Sequence, residues 1–437
     1  MGRKEKHDRG VSTTSPPCTT SLIPLAALSP IVNEPPTMQL DVYGFGVNCY
    51  GQLGLGHAHD HVKEPTLNQH LSKKSVGVVQ LAAGGAHCAA LTHNNKILTW
   101  GLNDDGQLGR QTRGLGDDEL DRAKGSPNKR EMRPGEVDFS GASLPPDTVF
   151  TQVVATASAT FVLTEFGDVY GWGTFRDVGD VIGFPSAKDL RQCTPVKIEG
   201  LRNITCLAAG AEHVLARSYL GAVYAWGGAT KDQLGREKLA RRGCNDPHLI
   251  PRIGAGAYHS FAIQRGGGVY SWGWNMYGQT GAPQAGDDNY LTSDATVPLP
   301  TLVSDLQKEN TSSVTEDKRC LSWGRIRGNA LGIPDEDMKS DSVLYSNDGA
   351  WPKILKTPTL VTRIPGRVAS AVAGMNHSLA AVEKGRLFGW GSNIHYEIGL
   401  GHKEDVQSAT LIDRGGLKDK KVVSAAAGSE FTVLLVE

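Results

Sequence analysis

Aromatic residues make up only 7% of this 437-residue chain, and no apolar run reaches the roughly 20 residues that a membrane-spanning helix needs. The most apolar early stretch, residues 22–32, is broken by Pro24 and Pro30. Polar residues with Pro16 and Pro17 separate it from the charged start, which is not the layout of a signal peptide. The formal charge is −1, so no global field draws the chain to nucleic acid or to an anionic membrane, and such contacts would need a local patch or tail. The seven cysteines are odd in number and include no C-x-x-C pair, which argues against a zinc finger and a disulfide framework. A soluble protein of a reducing, intracellular compartment is expected.

Catalytic signatures are also missing. The chain has no G-x-S-x-G elbow, no Walker loop and no H-E-x-x-H pair, so neither covalent chemistry nor a cofactor is expected. His57, His59 and His61 in GHAHDH have ligand-like spacing but no fourth ligand, and no metal site is expected.

Glycine, by contrast, is abundant at 53 residues, and much of it is periodic. A short apolar strand ending in an aromatic and a glycine recurs as VYGFG, ILTWG, VYGWG, VYAWG, VYSWG, CLSWG and LFGWG. The glycines Gly46, Gly101, Gly173, Gly227, Gly273, Gly324 and Gly391 mark seven units spaced by 55, 72, 54, 46, 51 and 67 residues. Several continue into one turn, NCYGQLG at 48–54, NDDGQLG at 103–109 and DQLG at 232–235, whose Asn and Gly suit left-handed backbone and whose Leu plugs back beneath.

Upstream of most units lies a strand of small residues ending near a histidine: AAGGAH, AAGAEH, GAGAYH and VAGMNH. Ala and Gly are poor strand formers, so their use at one fixed place implies crowding, as where inner strands converge on a propeller channel. His87, His213, His259 and His377 fall on different units and read as structural side chains. The first aromatic-Gly strand has no small-residue partner before it, and AAAGSEFTVLLVE ends the chain without a following one. Pairing the two would close a ring and remove the sheet edges. An all-β, seven-bladed β-propeller over residues 39–437 is therefore predicted, closed by its N- and C-terminal strands, after a disordered tail at 1–38 rich in Pro, Ser and Thr.

Two repeats are abbreviated, at about 236–272 and 298–323. From the proline that ends an outer loop to the next tryptophan, other units use 35, 31 and 32 residues, whereas Pro251 to Trp272 uses 21 and Pro300 to Trp323 uses 23. The first retains its inner strand and has lost mainly an outer one. The second replaces the A-A-G-x-x-H hairpin with polar residues, and residues 298–318 are expected to be irregular.

The aromatic-Gly, N-x-x-G-Q-L-G and A-A-G-x-x-H units together resemble the regulator-of-chromosome-condensation repeat. That family includes adaptors, ubiquitin-ligase modules and photoreceptors, so individual loops must decide function. The segment GWGTFRDVGDVIGF at 171–184 is similar to the W-G-S/T-F-R-D-x-x-G-x-I-G segment of the family's exchange factors for the small GTPase Ran. The resemblance implies guanine-nucleotide exchange without a covalent intermediate: one propeller face binds Ran, and a hairpin wedge displaces the elements holding phosphate and magnesium.

By the same resemblance, Arg176 and Asp177 belong to the contact motif, and the wedge spans residues 182–190, with Ile182, Gly183, Phe184, Pro185, Ser186, Ala187 and Lys188. Glu212 stands where the family commonly has Asp. Arg236, Arg241 and Arg242 lie in a loop resembling the one that contacts the nucleosome, where an acidic histone surface would meet them. The basic start GRKEK is compatible with nuclear import and with contact to DNA. A monomeric, nuclear, chromatin-associated protein with no membrane partner is expected. A non-catalytic adaptor using the same rigid face is the alternative.

Overall fold

The computed structural model describes residues 31–56, 60–112, 128–177, 180–183, 190–236, 250–282, 295–306, 315, 317–345 and 352–437. They form seven antiparallel sheets, the blades of a propeller, and one additional two-stranded hairpin. Blade 1 runs outward through Val78–Ala83, His87–Thr92, Ile97–Gly101 and Gly135–Glu136. Blade 2 uses Phe150–Ala155, Ala159–Thr164, Val169–Gly173 and Gln192–Lys197, and blade 3 uses Ile204–Ala209, His213–Ser218 and Val223–Gly227. Blade 4 uses Arg252–Ala255, His259–Ile263, Val269–Trp274 and Thr296–Leu302, and blade 6 uses Val368–Ala373, His377–Val382, Leu387–Gly391 and Val406–Ile412. Strands rich in small residues lead most of the complete blades, as predicted, the exception being Phe150–Ala155 of blade 2. Blade 7 is composite: Asp41–Val47 pairs with Phe431–Val436, from Asp41 opposite Val436 to Gly46 opposite Phe431, so the chain ends close the ring.

The apolar core lies between blades. At the junction of blades 7 and 1, Val42, Leu53 and Phe431 pack with Cys88 and Trp100, all essentially inaccessible to water. The glycine motifs follow from how closely backbones approach there. All seven aromatic-Gly glycines have φ between +99° and +109°. At six of them an added Cβ would lie within 2.3–2.7 Å of a carbonyl oxygen in the small-residue turn. Gly374 and its equivalents have no positive φ but leave no room for a Cβ, because the histidine three residues on folds its ring back over them, 2.4 Å from any Cβ at Gly374.

A polar latch recurs at several junctions between blades. The carbonyl of Gln107, in blade 1's turn, accepts from Trp172 Nε1 and Thr160 Oγ1 of blade 2, each at 2.9 Å. With the hydroxyl proton spent there, His87 Nε2 of blade 1 donates to Thr160 Oγ1 at 2.9 Å. His213, Ser260, Trp272 and the Gln233 carbonyl repeat the arrangement between blades 3 and 4. His377, Thr432 and the Glu397 carbonyl repeat it between blades 6 and 7, where Phe45 replaces the indole. Burial pushes His87 and His377 down to about 4 and His213 to about 3, so these imidazoles stay neutral and serve structure.

Blade 5 breaks the pattern. Its described strands are Leu321–Arg325, Pro352–Leu360 and Val343–Tyr345, with no inner pair among the described residues. Gly324 accordingly is the exception among the seven glycines, with its nearest backbone oxygen 3.4 Å from an added Cβ. The buried Trp323 Nε1 has no hydrogen-bond partner. Blade 3 has three strands among the described residues.

Two expectations need correction. Residues 298–302 are not irregular: Thr296–Leu302 is the outer strand of blade 4, with Tyr270 opposite Leu302. Its prolines are tolerated because it is an edge strand with a register break beside them. The propeller's contacts also reach back past the boundary expected at 38. The N–H groups of Val32 and Asn33 donate to the Glu165 carbonyl, and Asn33 Nδ2 donates to the carbonyls of Thr164 in blade 2 and Ile204 in blade 3. A short amide side chain bridging carbonyls of two blades anchors a stretch that composition alone assigns to the tail.

The latch predicts unequal costs for one substitution. Trp272→Phe leaves the Gln233 carbonyl without its indole donor and should cost about 1 kcal/mol more than Trp323→Phe, whose indole N–H has nothing to lose. Equilibrium urea unfolding of the two variants checks it; equal losses would remove the latch as a stabilising device.

Candidate functional site

Blade 2 departs from the repeat where its third strand ends. In place of the N-x-x-G-Q-L-G turn, Gly173 leads into Thr174-Phe175-Arg176-Asp177. Phe175 is buried and stacks on Phe161 with ring centroids 5.8 Å apart, so the segment is seated in the core between blades 2 and 3. Its neighbours Arg176–Asp177 pair with Asp180–Val181 as a short antiparallel hairpin, Arg176 opposite Val181 and Asp177 opposite Asp180. The Ile182 N–H returns to the Phe175 carbonyl at 3.0 Å and closes the hairpin base.

Side chains from both neighbouring blades hold that base. Arg176 Nη2 lies 2.8 and 2.7 Å from the two carboxylate oxygens of Asp105, and Arg191 Nε approaches the same carboxylate at 3.3 Å. The Asp105 side chain is only 6% exposed, whereas the arginines are 42% and 53% exposed. Asp105 is thus the desolvated partner, and the arginines cover it from the solvent side. Its carboxylate in turn raises the Arg176 pKa, by hydrogen bonding first and by charge second. From blade 3, Glu212 Oε2 accepts the Arg176 backbone N–H at 2.7 Å. Beyond the hairpin, Thr174 Oγ1 donates to the Leu190 carbonyl at 2.7 Å, and Gly183 takes a left-handed φ of +72° against Leu190. Ile182 and Leu190, 45% and 60% exposed, flank the loop as apolar side chains open to solvent.

Of the residues singled out in the sequence, Arg176, Glu212, Ile182 and Gly183 therefore meet at one place, with Asp177 on the hairpin itself. Phe184, Pro185, Ser186, Ala187 and Lys188 lie outside the described residues, as do Arg241 and Arg242. Arg236 is exposed at the end of the DQLG turn. His57 and His59 are likewise outside, while His61 pairs with His395 at 3.1 Å. Among the described residues no group of three or more His, Cys, Asp or Glu could hold a metal. Sequence reasoning missed Asp105 and Arg191. Asp105 left a signal: it is an acid where the parallel turns carry Tyr50 and Tyr277.

Residues 41–434 match the RCC1-like domain. This chain belongs to the RCC1-like-domain family. It is 36% identical over 424 residues to protein pim1 of Schizosaccharomyces pombe, covering 92% of this chain and 76% of that protein. It is 30% identical over 422 residues to guanine nucleotide exchange factor SRM1 of Saccharomyces cerevisiae, covering 90% and 86%. The crystal structure of Prp20p from Saccharomyces cerevisiae, a protein studied for its binding properties to Gsp1p and histones, matches with a TM-score of 0.82 at 27% identity, covering 94% of this chain and 96% of that one. Within an RCC1-like propeller, the Arg176 hairpin is an insertion into an otherwise repetitive face, held by charges from the blades on either side.

That geometry makes Glu212 the support of the hairpin backbone. In Glu212→Ala the Arg176 amide loses its acceptor, and its hydrogen exchange should accelerate by about tenfold while the inner strands stay protected. Amide exchange followed by mass spectrometry resolves this; unchanged protection at Arg176 would remove Glu212 from that role.

Proposed function

We propose that this protein is a nuclear guanine-nucleotide exchange factor for the small GTPase Ran, docked on chromatin and acting without covalent chemistry. The observation that carries the reading is the Arg176–Asp105 ion pair at the base of a hairpin that replaces a repeat turn. A device that prises nucleotide from a GTPase must keep its shape under load, and a hairpin with a pinned base and open flanks meets that need. The names of the relatives and the FRD motif point the same way.

In this reading the propeller face binds Ran, and residues 182–190 enter beside the phosphate and magnesium sites. Exchange accelerates because the complex stabilises the nucleotide-free GTPase. Asp177 supplies an acidic contact, and Glu212 contributes by holding Arg176 in register. Arg236, Arg241 and Arg242 dock the propeller on an acidic histone surface, where the planar guanidinium pairs with carboxylates in bidentate fashion.

Asp177→Ala should slow GDP release from Ran by about tenfold or more, because a charge meeting a desolvated partner is lost, while thermal unfolding stays near the parent's. Release of a fluorescent GDP analogue from purified Ran measures it. Equal rates for parent and variant would remove Asp177 from the contact, and a parent with no activity would leave a non-catalytic adaptor.

Docking is separately testable. Replacing Arg241 and Arg242 together by Ala should weaken nucleosome binding in gel-shift titrations and spare exchange on Ran. Undiminished nucleosome affinity would make this loop an ordinary solvated surface.

A further inference from the structure

On the side of the propeller away from the hairpin, the inner strands of blades 1 to 3 and residues 32–34 line an open pocket of about 690 Å³. The inner strand Ile204–Ala209 fixes the polarity: Ile204 begins it beside Asn33, and Ala209 ends it near Glu212. The walls are polar, with Gln80, Thr205, Arg217 and Tyr219 among them.

Most hydrogen-bonding groups there are committed. Gln152 spends its amide on the backbone of Leu207, Thr205 Oγ1 donates to the Arg217 carbonyl, and Thr151 Oγ1 donates to the Leu163 carbonyl. Three donors are not. Arg217 Nε is buried with no hydrogen-bond partner, and its guanidinium joins no ion pair among the described residues. Gln80 uses its oxygen on the Val153 N–H and keeps its NH₂ for the cavity. Tyr219 adds a phenol at the rim. The acid in the lining, Glu34, is exposed and forms no ion pair with Arg217.

We infer that this cavity binds a small oxyanion ligand, a phosphorylated or carboxylated metabolite whose oxyanion is gripped by Arg217 and Gln80. A guanidinium left without its counter-charge in a partly desolvated wall favours an anion strongly, and its planar fork matches the two oxygens of a phosphate or carboxylate. The volume lies within the range of small-molecule sites and admits a ligand larger than the oxyanion itself. Because Val32, Asn33 and Glu34 form one wall, a bound ligand also holds this N-terminal stretch against blades 2 and 3.

Thermal unfolding and titration calorimetry of the full chain, with inorganic phosphate and with succinate as probes and sodium chloride at matched ionic strength as control, test the assignment. Saturable stabilisation by phosphate, succinate or both is expected, and whichever probe binds identifies the ligand's headgroup. Arg217→Met should abolish the binding, and Arg217→Lys, which keeps the charge but not the fork, should weaken it by about tenfold. Binding that persists in Arg217→Met, or no saturable effect of either probe on the parent, would overturn the proposal. The parent and both variants are compared for anion-free unfolding midpoint, so a misfolded variant is recognised and the lysine variant then decides.

Discussion

One carbonyl oxygen per latched junction, in the turn after the aromatic-Gly strand, receives the hydroxyl of the next blade and, between blades 1 and 2 and blades 3 and 4, its indole N–H as well. Apolar packing between blades is non-directional and would tolerate sliding of one sheet on another. The paired donors at the Gln107 and Gln233 carbonyls do not, because a shift would strand several buried polar groups together. The histidine behind each hydroxyl and the glycine beneath each histidine follow from that geometry. The repeat is thus a chemical unit read across two blades, and its sequence period records contacts that each blade makes with its neighbour.

The candidate site lies where this unit is given up. Between blades 2 and 3, Ala159 takes the histidine's place, and the FRD segment replaces the turn that would carry the accepting carbonyl. The buried Trp226 Nε1 is left without a partner. Other interactions hold the junction: Phe175 seated against Phe161, the Asp105 and Glu212 carboxylates on Arg176, and Asn33 bridging Thr164 and Ile204 at the opposite end. A local break in the repeat, compensated from both ends, marks a place shaped for something other than ring closure.

The fold was legible because its constraints are local. An aromatic-Gly pair and an A-A-G-x-x-H stretch each report a crowded backbone within a few residues, and seven copies with complementary ends imply a closed ring. The site was legible in its FRD motif but not in its support. Asp105 and Arg176 stand 71 positions apart on different blades, and no periodicity brings them together. The Pro-, Ser- and Thr-rich composition of residues 1–38 concealed the Asn33 bridge for a related reason, since its acceptors lie more than a hundred positions away. Prolines hid the edge strand Thr296–Leu302, where a missing N–H costs little on the unpaired side.

The central claim is that the ion pair beneath the hairpin is part of the exchange device. A double-mutant cycle on GDP release from Ran, using Asp105→Asn, Arg176→Gln and the combination, tests it most directly. The account predicts that each single change slows release and that the pair together is no worse than the more severe single, because both remove one interaction. Release rates unaffected by either change, or losses that simply add, would contradict it.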